Sequence, residues 1–130
     1  MLVEKVRAKV YTIEFEYQPE YLYAFVEGDE DSLEITRQFW SELLAECKKF
    51  DYRKLLIEEN ISENVTASEV YEFAKELPNM GFDGISVAFV DRQADHEEIN
   101  RFGGLVAHNR GMDLKVFEEV QEAKEWLLSK

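Results

Sequence analysis

The chain has 130 residues, the size of one ordinary domain, and 45% of them are hydrophobic, which favours a folded core over disorder. Its formal net charge of −13 argues against nucleic acid as a partner, because phosphate backbones are bound by clustered Lys and Arg. Cys47 is the one cysteine, which excludes an internal disulfide and a cysteine-based zinc site. The charged N-terminal segment and the lack of an apolar run of about 20 residues predict a cytoplasmic protein without a transmembrane segment.

Five stretches of the chain have the hydrophobic pattern of β-strands. Residues 8–17 alternate apolar and polar side chains, and residues 21–26 are apolar throughout. With Pro19 between them, these two stretches predict an antiparallel hairpin. The apolar runs 55–57, 85–90 and 114–117 predict three parallel strands, and a polar loop is expected to follow the first of them as far as Thr66.

Two amphipathic stretches with capping residues predict the first two helices. Asp31 or Ser32 is a candidate cap for the first helix. Thr66 and Glu69 have the capping-box spacing for the second helix, and Pro78 ends it. The expected apolar positions are Ile35, Phe39, Trp40, Leu43, Leu44 and Cys47 in the first helix, and Ala67, Val70, Ala74 and Leu77 in the second.

Two further helices are predicted in the C-terminal part of the chain. Asp95 and Glu98 are candidate capping residues of a helix that runs to about Asn109. Its glycine pair, Gly103-Gly104, weakens the helix by about 1 kcal/mol per residue relative to alanine, which indicates close approach to the sheet or to another helix. The last helix carries Val120, Ala123, Trp126 and Leu127 on its apolar face.

The predicted order of elements is β-β-α-β-α-β-α-β-α. Strands that alternate with helices are typical of an α/β fold with a mainly parallel sheet. We therefore expect one domain over residues 1–130, with a mostly parallel five-stranded sheet, an antiparallel first strand and four helices.

Several local strings carry a family resemblance: Val26-Glu27-Gly28, Leu55-Leu56-Ile57, Val87-Ala88-Phe89-Val90, and Val116-Phe117 followed by Ala123 and Trp126-Leu127. Together with the order of elements, they resemble the SpoIIAA-like family, a branch of the STAS superfamily. The resemblance covers nearly the whole chain and implies a SpoIIAA/STAS-like fold. It also implies a non-enzymatic regulatory module that acts by binding a protein, with ligand binding or membrane association as alternatives.

The resemblance also indicates two candidate phosphorylation sites. In anti-sigma factor antagonists of this superfamily, a kinase phosphorylates a serine of an Asp-Ser-Ser-Gly string at the start of the helix after the central strand. The matching segment here, residues 64–68, lacks that string but contains Thr66 and Ser68. The plain alternative is that Thr66 only caps the helix. Glu58, Glu59 and Glu63 are expected in the same loop, where they would repel a phosphate.

Ligands of open α/β sheets bind beyond the carboxyl ends of the parallel strands. Polar residues of the loops at that edge are therefore candidates for binding: Asp29, Asn60, Ser62, Asp91 and Arg92. An enzyme that uses Asp91, Arg92 and His96 is a less favoured alternative, which requires the three side chains to share a cleft. Otherwise His96 is expected to be a solvated surface residue.

Phe102, Leu105 and Val106 surround the glycine pair of the third helix. They predict core packing, or a mobile helix that covers an apolar pocket for a lipid-like molecule, or a face for a membrane surface or for a second copy of the chain in a homodimer. His96 and His108 lie about 18 Å apart along this helix at 1.5 Å per residue, so they cannot share a metal ion. No metal or other cofactor is expected.

Overall fold

Strands and helices alternate along the chain in the computed structural model, which describes residues 10–63 and 65–130. Residues 8 and 9 of the predicted first strand, and Asn64 of the candidate phosphorylation segment, lie outside the described residues. The strands are β1 (Tyr11–Tyr17), β2 (Leu22–Gly28), β3 (Lys54–Ile61), β4 (Ser86–Asp91) and β5 (Leu114–Phe117). The helices are α1 (Leu33–Lys49), α2 (Ala67–Glu76), α3 (Glu97–Asn109) and α4 (Val120–Leu128), with short 3₁₀ helices at Leu77–Asn79 and Ala94–His96.

The described strands form one sheet in the order β1-β2-β3-β4-β5, with β1 antiparallel to β2 and the other neighbours parallel. The predicted α/β architecture and order of elements are therefore confirmed. Residues of α1, α2 and α3 share a core with one face of the sheet, and α4 packs on the other face. Because the strand order never reverses, the sheet lacks the switch point at which doubly wound folds open a crevice.

The central strand is longer than the sequence pattern predicts. The apolar run 55–57 continues through Glu58 and Glu59 to Ile61, and each of these two glutamates is only 7% exposed. Parallel pairing with β2 and β4 along this stretch supplies its backbone hydrogen bonds. The prediction that Glu58 and Glu59 lie in the loop before Thr66 is wrong, because the burial of carboxylates, which is rare, hides the strand in the sequence.

The main core lies between the sheet and α1. Trp40 is 5% exposed, and its ring lies 6.0 Å from that of Phe89, nearly parallel to it at 11°. Cys47 is fully buried, and burial raises the pKa of its thiol to about 12. The thiol therefore stays protonated and unreactive in the folded protein.

The glycine pair of α3 allows close contact on two sides of the helix. A Cβ atom on Gly103 would lie 2.7 Å from Val70 Cγ1 of α2, and one on Gly104 would lie 2.8 Å from Val116 Cγ2 of β5. Both distances are shorter than real Cβ contacts, so any side chain would push the helix away. The predicted close approach to the sheet or to another helix is confirmed on both counts.

The first two helices have the predicted caps, whereas the third begins differently. Ser32 Oγ accepts a hydrogen bond from the backbone N–H of Ile35 at 3.1 Å. The prediction that Asp95 caps α3 is wrong, because His96 at the cap position has helical backbone angles and no side chain makes the capping hydrogen bond. The chain enters α3 from the preceding 3₁₀ helix instead, and the predicted end at Asn109 is correct.

Candidate functional site

A cavity of about 90 Å³ lies between the sheet and helices α1, α2 and α3, at the carboxyl ends of the central strands. Aromatic side chains line its inner part: Phe39, Trp40, Phe73 and Phe89. Polar side chains from four separate segments line the other end: Asp31, Glu59, Asp91, His96 and Asn100. We call this second group the acidic cluster.

Strand pairing places two carboxyl groups of the acidic cluster side by side. Glu59 of β3 and Asp91 of β4 are partners in the parallel register. Because side chains alternate along a strand, Glu59 continues the face of Leu55 and Ile57, and Asp91 continues that of Val87 and Phe89. Both carboxyls therefore point to the face of the sheet that α1, α2 and α3 cover.

Both oxygens of the Asp91 carboxylate accept hydrogen bonds, from the loop that follows β4 and from α3. Its Oδ1 accepts the backbone N–H of Gln93 at 2.8 Å, and its Oδ2 accepts the Asn100 side-chain amide at 2.8 Å. His96 Nδ1 lies 3.1 Å from the same Oδ2. His96 is 5% exposed, so the expectation that it is solvated is wrong: the 3₁₀ turn folds the ring back onto Asp91.

The Asp31 carboxyl group, which belongs to the segment before α1, also accepts hydrogen bonds from its neighbours. Its Oδ1 accepts the backbone N–H of Ser32 and the Thr36 hydroxyl, each at 2.8 Å. Burial nevertheless raises the pKa of Asp31 to about 6, because the cost of desolvating its charge exceeds what the two hydrogen bonds return. The Asp31 backbone N–H itself donates to Glu63 at 3.0 Å, which holds the start of α1 to the end of β3.

Glu59 differs from both of its neighbours. Among residues 10–63 and 65–130, no donor is hydrogen-bonded to its carboxyl group, which faces the cavity. Burial, with repulsion from Asp91 and Asp31, raises the pKa of Glu59 well above its ordinary value. Glu59 therefore keeps its proton at pH values at which an exposed glutamate has lost it.

The sequence-predicted edge residues do not form one site. Asp29, Asn60 and Ser62 line a shallow groove at the ends of β2 and β3. In that groove the Gln93 side-chain amide donates to Asn60 Oδ1 at 2.7 Å, and Asn60 Nδ2 donates to Glu27 at 3.2 Å. Asp91 lies in the cavity instead, and Arg92 lies on the other face of the sheet.

Arg92 is held on the α4 side by its own partners. Its Nε donates to Glu58 Oε2 at 2.5 Å, and its guanidinium carbon lies 4.5 Å from the centre of the Phe25 ring. The Tyr23 hydroxyl donates to the other oxygen of Glu58. Asp91, Arg92 and His96 thus share no cleft, because consecutive strand residues point to opposite faces. The enzyme alternative lacks the arrangement that it requires.

Thr66 and Ser68 are both placed at the start of α2. Thr66 Oγ1 accepts the Glu69 backbone N–H at 3.2 Å, and Glu69 Oε1 accepts the Thr66 backbone N–H at 3.0 Å. This is the predicted capping box, and it lowers the pKa of Glu69. The Thr66 hydroxyl is engaged in the cap, whereas Ser68, exposed in the first turn, makes no side-chain hydrogen bond to a described residue.

Thr66→Ala is expected to lower the free energy of unfolding by about 1 kcal/mol, because the amides at the start of α2 lose their acceptor. Ser68→Ala, two residues away, is expected to change it by less than about 0.5 kcal/mol. Urea titrations followed by circular dichroism measure both values. Equal losses in the two variants would contradict the assignment of the cap to Thr66.

The three apolar residues singled out on α3 do not line the cavity. Phe102 and Leu105 lie on the outer side of the helix, 43% and 61% exposed, and Val106 is half-buried. The expectation of core packing is therefore wrong for Phe102 and Leu105. On α3 the wall of the cavity is formed instead by Asn100, Gly103 and Gly104.

The part of the chain that the structure describes contains neither a group of metal ligands nor a membrane-spanning helix. No group of three or more His, Cys, Asp or Glu side chains is arranged to hold a metal ion there. Among the same residues, no helix has the length and apolar character needed to cross a bilayer.

No family model and no curated protein matches the sequence. The structure is similar to the crystal structure of an anti-sigma factor antagonist from Mycobacterium paratuberculosis, with a TM-score of 0.57 over 91% of this chain and 94% of that one. The chain has a STAS-like fold. At 15% sequence identity this similarity concerns the fold, and it confirms the fold that the SpoIIAA-like resemblance implies.

Within this STAS-like fold, the sequence patterns miss three members of the acidic cluster: Asp31, Glu59 and Asn100. One signal for Glu59 is present in the sequence, because positions 55, 57, 59 and 61 alternate on one face and three of them are apolar. Asp31 and Asn100 carry no such signal. Only the folded chain brings them to Asp91 and Glu59.

Proposed function

We propose that the chain is a non-enzymatic regulatory module that binds a protein partner through the outer faces of α2 and α3. The fold supports this proposal, since the structural neighbour is described as an anti-sigma factor antagonist, a name that implies a protein target. The observation that carries the proposal is an exposed apolar surface made by Tyr71, Phe102 and Leu105, which we call the α2–α3 surface.

The α2–α3 surface joins two helices. Tyr71 of α2 and Phe102 of α3 stack with ring centres 6.2 Å apart and 23° between their planes. The two residues are 39% and 43% exposed, and Leu105, one turn further along α3, is 61% exposed. Large apolar side chains grouped in this way, and aromatic ones above all, are typical of the centre of a protein interface.

The position of Ser68 supports a role for this residue in controlling the surface. It lies three residues before Tyr71 and four before Glu72, so all three side chains share one face of α2. A phosphate on Ser68 would add about −1.5 to −2 charges beside the apolar rings and near an existing carboxylate. We therefore propose Ser68 rather than Thr66 as the modified residue, with phosphorylation weakening the binding of the partner.

Affinity capture from extracts of the native host, with four variants compared, tests this proposal. Leu105→Asp and Ser68→Glu are expected to reduce retention of the partner about tenfold or more, because they place charge within or beside the interface. Leu128→Asp and Ser41→Glu are matched controls on exposed positions of α4 and α1. They are expected to retain the partner as the wild type does.

Three results would contradict the proposal. The first is that all variants capture the same proteins in equal amounts. The second is self-association of the purified chain that Leu105→Asp abolishes, which would assign the surface to a homodimer. The third is binding of the purified chain to lipid vesicles through the same residues. Circular dichroism spectra of all four variants establish that lost binding is not lost folding.

A further inference from the structure

The carboxyl group of Glu59 lines the cavity without a hydrogen-bond partner among the described residues. Asp91 and Asp31 each accept at least two hydrogen bonds from nearby residues. Glu59 is only 7% exposed, faces the cavity, and accepts none from residues 10–63 or 65–130. Its carboxyl group borders the open space of the cavity, so a donor from a bound molecule has room to reach it.

The charges around Glu59 favour a donor that carries a positive charge. Two further carboxyl groups, Asp91 and Asp31, lie close enough to repel the Glu59 charge. An anion in this space would be repelled by Asp91 and Asp31, whereas a cation would be attracted by them and would favour the ionised form of Glu59. An ammonium group also brings three N–H donors, which suits a carboxyl that lacks any.

The rest of the cavity suits an apolar chain attached to that cation. Four aromatic rings line it: Phe39, Trp40, Phe73 and Phe89. Aromatic rings pack against aliphatic carbon, and their faces also attract a cation. Its volume of about 90 Å³ compares with about 150 Å³ for an engineered cavity that binds benzene. The space thus fits a group of about four heavy atoms.

We propose that the cavity is a binding site for a primary amine on a short apolar chain, with the ammonium group at Glu59. This site is independent of the α2–α3 surface, which faces away from it on the outer side of α3. Loss of partner binding would therefore leave the amine site intact, and loss of amine binding would leave the protein interface intact.

Three small probes of similar size separate this proposal from its alternatives. Propylammonium, 1-propanol and propionate are titrated into isotopically labelled protein at constant ionic strength, and backbone amide shifts are followed by NMR. Propylammonium is expected to shift the amides of Glu59, Asp91 and Asn100 in a saturable way. A ligand of four heavy atoms binds no tighter than about 40 μM, so dissociation constants in the millimolar range are expected. The other two probes are expected to bind at least about tenfold more weakly.

Two neighbouring glutamates supply the matched variants. Glu59→Gln removes the charge at the cavity and is expected to weaken propylammonium binding about tenfold or more. Glu58→Gln makes the same change one residue away on the opposite face of the strand, beside Arg92 and Tyr23, and is expected to leave binding unchanged. The spectra of both free variants report whether each retains the fold.

Four results would overturn the proposal. They are equal binding of propanol and propylammonium, unchanged binding in Glu59→Gln, amide shifts scattered over the acidic surface instead of the cavity, and no saturable shift with any probe. The last result would show that the cavity holds only water molecules that hydrogen-bond to Glu59.

Discussion

Glu59→Gln is expected to stabilise the protein at about pH 8 by about 1–3 kcal/mol, whereas Glu58→Gln is expected to destabilise it by about 1 kcal/mol. The two residues are adjacent on β3 and equally buried, so burial alone would predict the same sign for both. Their partners differ. Glu58 binds the Arg92 guanidinium and the Tyr23 hydroxyl, and Glu59 faces two other carboxyls.

The pH dependence of these changes separates the two glutamates further. The pKa of Glu59 is raised in the folded protein, so the folded state binds more protons than the unfolded one between the two pKa values. Stability therefore falls as the pH rises from the unfolded pKa, about 4.3, through the folded pKa. The amide introduced by Glu59→Gln cannot ionise, so the stabilising effect of this substitution is expected to be small near about pH 4.5 and full above the folded pKa of Glu59.

Urea unfolding of the wild type and both variants at about pH 4.5, 6 and 8 measures these values. Asp31, with its pKa raised to about 6, contributes a fall in the same direction to all three proteins. This contribution cancels between the wild type and Glu58→Gln, whereas in Glu59→Gln it is reduced because Glu59 no longer repels the Asp31 charge. A gain in Glu59→Gln that is the same at every pH would show that the charge of Glu59 is not its cause. A loss of stability would show that the carboxyl has a partner that its amide cannot replace.

Gly103→Ala is expected to destabilise the protein by about 1–2 kcal/mol, although alanine favours a helix by about 1 kcal/mol over glycine. The added Cβ would lie 2.7 Å from Val70 Cγ1, and valine has little freedom to rotate away. Either α2 and α3 separate or one of them distorts, and both outcomes cost packing energy.

A double mutant tests whether that contact is the cause. Val70→Ala removes the clashing methyl groups, so the pair Gly103→Ala/Val70→Ala is expected to show a favourable coupling energy of at least about 1 kcal/mol. Val116→Ala is the matched control, since Val116 faces Gly104 rather than Gly103. Combined with Gly103→Ala, it is expected to be additive. Thermal and urea unfolding of the single and double variants give the coupling energies, and equal coupling in both pairs would contradict this account.

The order of strands and helices follows from hydrophobic periodicity in this sequence, because each element buries one apolar face. The glycine pair of α3 and the Thr66 cap are likewise readable, since each has a local chemical cause. The end of β3 is not readable in the same way. Two glutamates in succession indicate a loop, and only the partners of Glu58 and the cavity beside Glu59 explain why they lie in a strand.

The site depends on contacts that no local pattern encodes. The expectation for His96 fails because its acidic neighbours in the sequence, Asp95 and Glu97, suggest solvent, whereas its partner in space is Asp91. The expectation for Arg92 fails for a simpler reason. Strand alternation separates it from Asp91, but the predicted strand ends at Val90, so the sequence pattern does not identify Asp91 as the last residue of β4. Before polar residues at the end of a strand are grouped into a site, it has to be established which face of the sheet each side chain points to.

The uninterrupted strand order β1-β2-β3-β4-β5 has a consequence for how the chain folds. Each strand pairs with the strand before it in the sequence, so no strand has to be inserted between two that are already paired. Every crossover closes a loop of modest length, which keeps the entropic cost of each step low. The acidic cluster is complete only when the segment before α1, the ends of β3 and β4, and α3 have come together, and α4 covers Leu56, Ala88 and Val90 on the other face of the sheet.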